Sequence, residues 1–178
     1  MKKKIFPLSK VYQLIEPGPV VMVSTLYKGK PNIMTMSWHM MIEFEPPQIA
    51  CIIGQEDYSF TIIKKTKECV INIPTVELIH EIVGVGNCTG AKVDKFKKFA
   101  LTPVDTHVVK APLIAECYAN LACKVIDTRM VNGYNMFILE VIKAWITPSK
   151  KRQRTVHHAG YGVFIVDGKV IRVASKKK

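Results

Sequence analysis

The sequence predicts a mainly β fold, in which antiparallel strands close into a barrel and a few short helices are inserted after the early strands. Three observations support this. About seven to nine segments show the alternating or β-branched apolar pattern of strands. Only two or three short segments have helical character. Strands and helices do not alternate regularly, which disfavours a doubly wound parallel sheet.

Length and composition indicate one domain over residues 1–178, with loose basic tails at about 1–10 and 174–178. Hydrophobic residues make up 48% of the chain, enough for a sizeable core. No apolar run approaches the roughly 20 residues that span a bilayer. The N-terminus lacks the apolar segment of a signal peptide. We therefore expect a cytoplasmic protein that does not associate with membranes.

The net charge of +12 is compatible with nucleic acid, a membrane surface or an anionic small molecule as partner. The lysines are widely spread, and the one dense internal block, residues 150–154, has no interleaved aromatic residues on which bases could stack. A phosphate-bearing cofactor or substrate explains the charge equally well. We expect no specific nucleic-acid binding, and a basic β-barrel that binds nucleic acid remains an alternative.

The five cysteines form no Cys-x-x-Cys pair, and their odd number disfavours a secreted disulfide framework. Three of them lie in apolar runs and are predicted to be buried, namely Cys51, Cys69 and Cys123. Cys88 lies in a glycine-rich loop and is predicted to be the most exposed. Cysteines and histidines show no recognisable ligand spacing, so no metal site is predicted.

The first elements are a short helix or turn over Val11 to Leu14 and a hairpin. The hairpin joins a strand at Val20 to Leu26, through Lys28-Gly29-Lys30, to a strand at Asn32 to Trp38. Residues two apart share a face of a strand. The second strand therefore shows polar Thr35 and Ser37 on one side, and Met34, Met36 and Trp38 on the other. Either the hydroxyls face a ligand, or this is an ordinary strand with a solvated face.

The next segments are an extended stretch from His39 to Phe44, a buried strand from Gln48 to Gly54, and a helix from Tyr58 to Thr66 with Asp57 as N-cap. Phe60, Ile62 and Ile63 are predicted to face the core. The helix N-terminus carries three hydroxyls and is a potential phosphate site. In the alternative interpretation these hydroxyls only cap or solvate the helix. They belong to Tyr58, Ser59 and Thr61.

A strand from Glu68 to Ile73 precedes a predicted helix from Thr75 to Val85, and a short helix ends near Phe99. The glycine-rich loop between these helices could hold an anion through its backbone N–H groups. It matches neither the Walker spacing nor Gly-x-Gly-x-x-Gly. The later elements are an edge segment, a turn, two long strands and a last hairpin across Asp167-Gly168. Their bounds are Leu101–Val109, Ala111–Ile114, Ala119–Thr128, Asn135–Ile146, Gly162–Val166 and Lys169–Val173.

An ordered set of short segments resembles the flavin reductase-like family of FMN-binding split-barrel proteins, in particular the branch with flavoredoxin and archaeal ferric reductase. The set extends from about Pro17 to Ile146. It comprises Pro17–Thr25, Pro31–Trp38, Phe44–Pro47, Tyr58–Thr61, Glu68–Pro74, Val93–Phe96 and Ala111–Cys117.

The resemblance implies a homodimer of split barrels, each of which binds one FMN near the subunit interface. It implies that Asn32, Thr35, Met36, Ser37 and Trp38 line the isoalloxazine and the ribityl chain. It further implies that Tyr58, Ser59 and Thr61 hold the phosphate, and that Lys92 and Phe96 close the site. His157, His158 and Tyr161 either approach the flavin or the other subunit, or form a surface loop.

No catalytic residue is expected, because the cofactor carries the chemistry. Two functions follow from the resemblance. One is an oxidoreductase that takes electrons from NAD(P)H or another donor and reduces free flavin or ferric iron. The other is a non-catalytic FMN carrier between redox proteins. FMN is favoured over FAD because a phosphate site is readable at a helix end, whereas an adenine pocket is not.

Overall fold

The computed structural model describes residues 3–11, 15, 18–149 and 151–174. Its strands are β1 (Lys4–Phe6), β2 (Val21–Tyr27), β3 (Lys30–Met36), β4 (His39–Phe44), β5 (Pro47–Ile52), β6 (Glu68–Ile73), β7 (Pro103–Val104), β8 (Leu113–Ile114), β9 (Ala119–Asp127), β10 (Met136–Ile146), β11 (Val156–Gly160) and β12 (Val163–Val166). Its α-helices are α1 (Tyr58–Thr66), α2 (Ile79–Gly86), α3 (Lys95–Lys98) and α4 (Val131–Tyr134), and 3-10 turns lie at Leu8–Lys10 and Val76–Leu78.

The main sheet has the order β3-β2-β6-β9-β10-β5-β4, and β1 pairs with β10. All of these pairings are antiparallel. The two strands at the ends of this order, β3 and β4, are joined by only Ser37 and Trp38. The sheet therefore curls until its ends meet. This confirms the predicted antiparallel barrel with short inserted helices.

The main core fills the barrel because every second residue of each strand points inward. Cys51, Cys69 and Cys123 are fully buried there as free thiols, as predicted. A second apolar cluster lies outside the barrel. It joins Met22 and Ile33 on the outer face of β2 and β3 to Val85 of α2 and Phe96 of α3. This cluster holds α2, α3 and the loop between them against β3.

Helix α1 has the predicted bounds, and Phe60, Ile62 and Ile63 are buried as predicted. Asp57 occupies the N-cap position, but its carboxylate accepts a hydrogen bond from the Gly54 N–H at 3.2 Å and does not cap the helix. The β2–β3 hairpin is also confirmed. Lys28 and Gly29 form its turn with φ of 51° and 74°, a region in which glycine is unstrained.

The prediction for the last hairpin was wrong. The chain reverses at Gly160-Tyr161-Gly162, where φ is 96°, 49° and 77°, so that β11 pairs with β12. Asp167 was expected in the turn. Instead, its carboxylate accepts from the Thr155 N–H at 3.0 Å and pairs with Arg152 at 2.7 Å, which closes the base of the hairpin. Residues 169–173 form no strand.

The N-terminal segment and the segment before β9 form strands that the sequence did not predict. Residues 1–10 were expected to be a loose tail, but Lys4–Phe6 pairs with Ala144–Ile146 of β10. The apolar pair Ile5 and Phe6 gives this segment strand character. Leu113–Ile114 was expected in a turn, but it pairs with Pro103–Val104. The helix or turn predicted from Val11 to Leu14 falls mostly outside the described residues.

Candidate functional site

The polar face of β3 forms one wall of a cavity of about 280 Å³. Thr35 and Ser37 lie on this wall, and the Thr35 hydroxyl donates to the Ile82 carbonyl of α2 at 2.6 Å. The opposite wall comes from the β11–β12 hairpin. We call this space the hairpin cavity; it is lined by Val20, Thr35, Ser37, Ile82, Val83, Gly86, Asn87, His158, Gly162 and Phe164.

A second cavity of about 460 Å³ lies near the N-terminus of α1. Tyr58, the β2–β3 turn and the loop before α3 form its walls, and Lys30 and Lys92 contribute two cationic side chains. We call it the lysine cavity. Among the described residues no side chain caps α1, so no side chain occupies the N–H groups of its first turn. The surroundings are therefore suited to an anion.

Asn32 adjoins the lysine cavity, because its amide packs against Gly90 in the wall of that cavity, and it is 4% exposed. Its Nδ2 donates to the Ser59 hydroxyl at 2.8 Å, which fixes the orientation of the amide. Its Oδ1 is buried and accepts no hydrogen bond from the described residues. A buried amide oxygen without a partner is costly, and it is suited to a donor from a ligand hydroxyl.

Gly90 approaches Asn32 so closely that a side chain would not fit. A Cβ on Gly90 would lie 1.8 Å from Asn32 Oδ1 and 3.2 Å from Tyr58 Cδ1. Because it has no side chain, Gly90 lets the loop before α3 pack directly against this amide oxygen.

Lys95 is a buried cation that the sequence analysis missed. Its side chain is 5% exposed, and its Nζ donates to the Val85 carbonyl at 2.8 Å, immediately before Gly86 and Asn87 of the hairpin cavity. Burial lowers the pKa of Lys95, while Cys88 and Asp57 partly oppose this shift. The only available signal was its position directly after the capping Asp94, inside a lysine-rich run that is typical of a solvated helix.

The ten residues predicted for the site fall into five pairs. Thr35 and Ser37 line the hairpin cavity, Tyr58 and Lys92 line the lysine cavity, and Asn32 and Ser59 are buried and hydrogen-bonded to each other. Met36 packs inside the barrel, and Phe96 packs in the outer apolar cluster. Trp38 is 71% exposed, and Thr61 is exposed on α1. None of these last four residues lines the hairpin cavity or the lysine cavity.

His158, Gly162 and Phe164 line the hairpin cavity. For His158 the sequence left two alternatives open, an approach to the flavin or the other subunit, or a surface loop; for Gly162 and Phe164 it predicted no site role. The His158 and Phe164 rings pack with their centroids 5.2 Å apart. Sequence periodicity did not identify them, because the last hairpin was placed about six residues too late. The two glycines flanking Tyr161 were the available signal for the true turn.

The arrangement suits a flat, hydrogen-bonding group in the hairpin cavity and an anionic end near the lysines. Ser37 and His158 both line the hairpin cavity, but no hydrogen bond joins them among the described residues, and neither cavity is lined by two carboxylates. Among the described residues, no three His, Cys, Asp or Glu side chains are grouped to hold a metal ion. None of the described helices is both long and apolar enough to cross a bilayer.

Comparison with known proteins gives a family match over most of the chain. The model of the family described as "Flavin reductase like domain" matches residues 15–163. An uncharacterized protein of Archaeoglobus fulgidus is 36% identical over 113 residues, and this alignment covers 64% of each chain.

Solved structures agree with this match. The FMN-binding domain of a flavin reductases-like enzyme from Shewanella baltica superposes with a TM-score of 0.90 at 26% identity, covering 97% of this chain and 98% of the other. Flavoredoxin of Desulfovibrio vulgaris superposes with a TM-score of 0.81 at 24% identity, covering 89% and 91%. The second similarity shows the shared fold.

Proposed function

Because the chain belongs to the flavin reductase-like domain family, we propose that it is an FMN-binding flavoprotein that passes electrons or a hydride through its cofactor. The observation that carries this proposal is the buried, unpartnered Oδ1 of Asn32 beside Gly90 of the lysine cavity. FMN combines a flat ring, a hydroxylated chain and a phosphate. The hairpin cavity suits the ring, Asn32 suits the chain, and the lysine cavity suits the phosphate.

The residues present fit FMN in the following way. Thr35 and Ser37 offer hydroxyls to the ring, and Asn32 Oδ1 accepts from a ribityl hydroxyl. The phosphate is held by Tyr58, Ser59 and Lys92 at the N-terminus of α1. Met36 and Phe96 support the site from behind, within the two apolar clusters. Contacts of Trp38 and Thr61 with FMN are less well supported, because both side chains are exposed outside the two cavities.

Bound FMN supplies two-electron redox chemistry, so the protein does not need a catalytic acid or base of its own. The task of the chain is to bind the ring, to exclude water from it and to set its electrostatic surroundings. Buried Lys95 adds a positive charge behind the wall of the hairpin cavity. A positive charge in that position favours a cofactor that becomes more negative on reduction.

Within this function we propose a reductase that uses NAD(P)H and delivers electrons to free flavin or ferric iron. The alternative is an electron carrier between protein partners. The S. baltica relative is described as belonging to a flavin reductases-like enzyme, and this supports the first form. In both forms the electrons pass through the same site.

The test is the visible absorption spectrum of the purified protein, followed by anaerobic addition of NADH and then NADPH. We expect flavin bands that bleach with one of the nicotinamides. Bands that persist with both would replace the reductase by the carrier. A colourless protein that cannot be reconstituted with FMN would refute both forms.

We also propose that the chain forms a homodimer, as the family resemblance implied. Trp38, Met40 and Ile42 alternate along one face of the barrel edge, and they are 71%, 56% and 41% exposed. An apolar stripe on an edge strand is unfavourable in water unless another surface covers it. A second copy of this chain presents the same stripe and would cover it symmetrically.

A further inference from the structure

His158 occupies a defined position on the wall of the hairpin cavity. It lies on β11 opposite Phe164 of β12, and the two rings pack at 5.2 Å with an angle of 43° between their planes. Thr35 and Ser37 line the same cavity from β3. A group bound in this cavity therefore lies between the polar face of β3 and the imidazole.

The hairpin that carries His158 is anchored at its base. The Val20 N–H donates to the Val156 carbonyl at 2.8 Å, and the Thr155 N–H donates to the Asp167 carboxylate at 3.0 Å. Val156 is buried against Ile82 of α2, with Phe164 packed beside them. These contacts fix the wall of the cavity relative to the barrel.

His158 is the only titratable side chain among the ten described residues that line the hairpin cavity. Helix α2 carries His80 and Glu81, but it faces the cavity with Ile82, Val83 and Gly86. Asp167 pairs with Arg152 at the base of the hairpin. The neighbouring His157 does not line the cavity; its electrostatic contact is with His39 near the start of β4. Lys95 lies behind the wall, where its Nζ donates to the Val85 carbonyl, so His158 is the one lining residue that can carry a charge.

We propose that His158 is a positioning residue that favours the reduced cofactor, by placing an imidazole N–H and its positive charge against the bound flavin ring. The proposal rests on the FMN binding proposed above. When two electrons and one proton are added, the flavin ring gains one negative charge. His158 is exposed in the structure, so an imidazolium beside the ring attracts that charge with partial screening by water. The oxidised flavin ring is neutral, so the imidazolium stabilises it less than it stabilises the reduced ring.

The sign of the pH dependence follows. Histidine exchanges a proton within the range of pH 5 to 8. At the acid end the imidazolium stabilises the reduced ring, and the midpoint potential is raised. A neutral imidazole carries no such charge, so this contribution requires the protonated ring. The effect of His158 on the potential should therefore be largest at low pH.

The experiment measures the midpoint potential of the FMN-loaded protein by spectroelectrochemistry between pH 5.5 and 8.5. The variants are His158→Gln, the matched control His157→Gln on the same strand, and His158→Lys, which keeps a positive charge at all these pH values. FMN affinity is measured in parallel by fluorescence quenching, so that a loss of binding is not mistaken for a change of potential.

We expect His158→Gln to lower the potential at pH 5.5 by about 30 mV, equivalent to a tenfold change in the relative affinity for the two redox states. The difference from wild type should close by pH 8.5. His158→Lys should keep a raised potential across the whole range, and His157→Gln should follow wild type. The inference would be overturned if His158→Gln followed wild type, or if all three variants shifted alike. A wild-type protein that binds no FMN would instead contradict the proposed function.

Discussion

Asn32 and Gly90 show how two ordinary residues define the centre of the site. The amide Nδ2 is satisfied by Ser59, which leaves the Oδ1 buried and unpartnered among the described residues. The absence of a Cβ at Gly90 lets the loop before α3 pack against this oxygen. Asn32 was predictable from the sequence through the resemblance, whereas the role of Gly90 depends on a distance that the sequence does not contain.

Substituting Gly90 by Ala is expected to weaken FMN binding at least about tenfold, or about 1.4 kcal/mol. The added methyl group would lie 1.8 Å from Asn32 Oδ1, so that the amide must move or the ligand hydroxyl is displaced. The measurement is the FMN dissociation constant from fluorescence quenching. Gly133→Ala is the matched control, because a Cβ there has no neighbour within 4 Å. Equal affinities for the two variants would contradict the assignment of this space to the cofactor.

His39 makes a separate prediction about the pH dependence of stability. Its Nε2 lies 2.7 Å from the Pro19 carbonyl, and its Nδ1 is buried without a partner in the described residues. Burial lowers the pKa of His39; the hydrogen bond to Pro19 opposes this shift and His157 reinforces it. The folded state therefore prefers the neutral ring. Unfolded histidine titrates near pH 6.5, so folding stability is lost as the pH falls below about 6.5.

We expect His39→Gln to reduce this loss, because glutamine can still donate to the Pro19 carbonyl and carries no titratable group. Thermal melting between pH 5 and pH 7.5 measures the effect, which is worth about 1.4 kcal/mol for each unit of pKa difference. His107→Gln is the control, since the His107 side chain is 87% exposed. If the melting temperatures of His39→Gln and wild type fell in parallel with acidification, His39 would not be the group responsible.

At the scale of elements, strands and α1 were predictable because their signals are local. The two-residue period of β3 placed Met34 and Met36 inside the barrel and Thr35 outside. The same period predicted that Trp38 would share the face of Met34 and Met36. This was wrong, because β3 ends at Met36 and the chain turns at Ser37 and Trp38 before β4 begins. The last hairpin was misplaced because Asp167-Gly168 is a stronger local turn signal than Gly160-Tyr161-Gly162. In the structure Asp167 instead contacts Arg152 and Thr155 at the base of the hairpin, and these tertiary contacts are not visible in the local sequence.

A buried amide network fastens the loop before β9 to the strands β2 and β6. Asn72 donates to the Met22 carbonyl at 3.0 Å and to the Ser24 hydroxyl at 2.9 Å. Its Oδ1 accepts from the Ile114 N–H at 2.9 Å and from Asn120 Nδ2 at 2.8 Å. The network therefore links three strands to β8.

Asn72→Ala is expected to lower the free energy of unfolding by about 3 kcal/mol, because it leaves the buried Ile114 N–H and its other partners unsatisfied. Urea unfolding of the FMN-free protein measures the change. Asn132→Ala, at an exposed position on α4, serves as the control. A loss below about 0.5 kcal/mol, the usual limit for surface substitutions, would mean that the network contributes little.

At the scale of the whole molecule, the barrel class was predictable from the count and pattern of strands, but the strand order was not. The pairings of β2 with β6 and of β5 with β10 join segments far apart in the sequence. Local periodicity contains no information on such pairs. The hairpin cavity depends on this order, since it combines β3, α2 and the β11–β12 hairpin. The resemblance could therefore name Thr35 and Ser37, but it offered His158 only as one of several alternatives and did not identify Gly162 and Phe164 on the same wall.

The same strand order makes β4 an edge of the main sheet, with Trp38, Met40 and Ile42 pointing away from the core. We expect the double substitution of Met40 and Ile42 by Lys to convert a dimer into a monomer, because four buried charges without partners would oppose association. Sedimentation of the wild type should give twice the chain mass of 20.1 kDa. Ile126→Lys on β9, where Ile126 is 46% exposed, should leave that mass unchanged. A monomeric wild type, or a double variant that remains dimeric, would exclude this edge as the interface.

If the second subunit also completes the cofactor site, the monomeric variant should bind FMN more weakly, while Ile126→Lys binds it as wild type does.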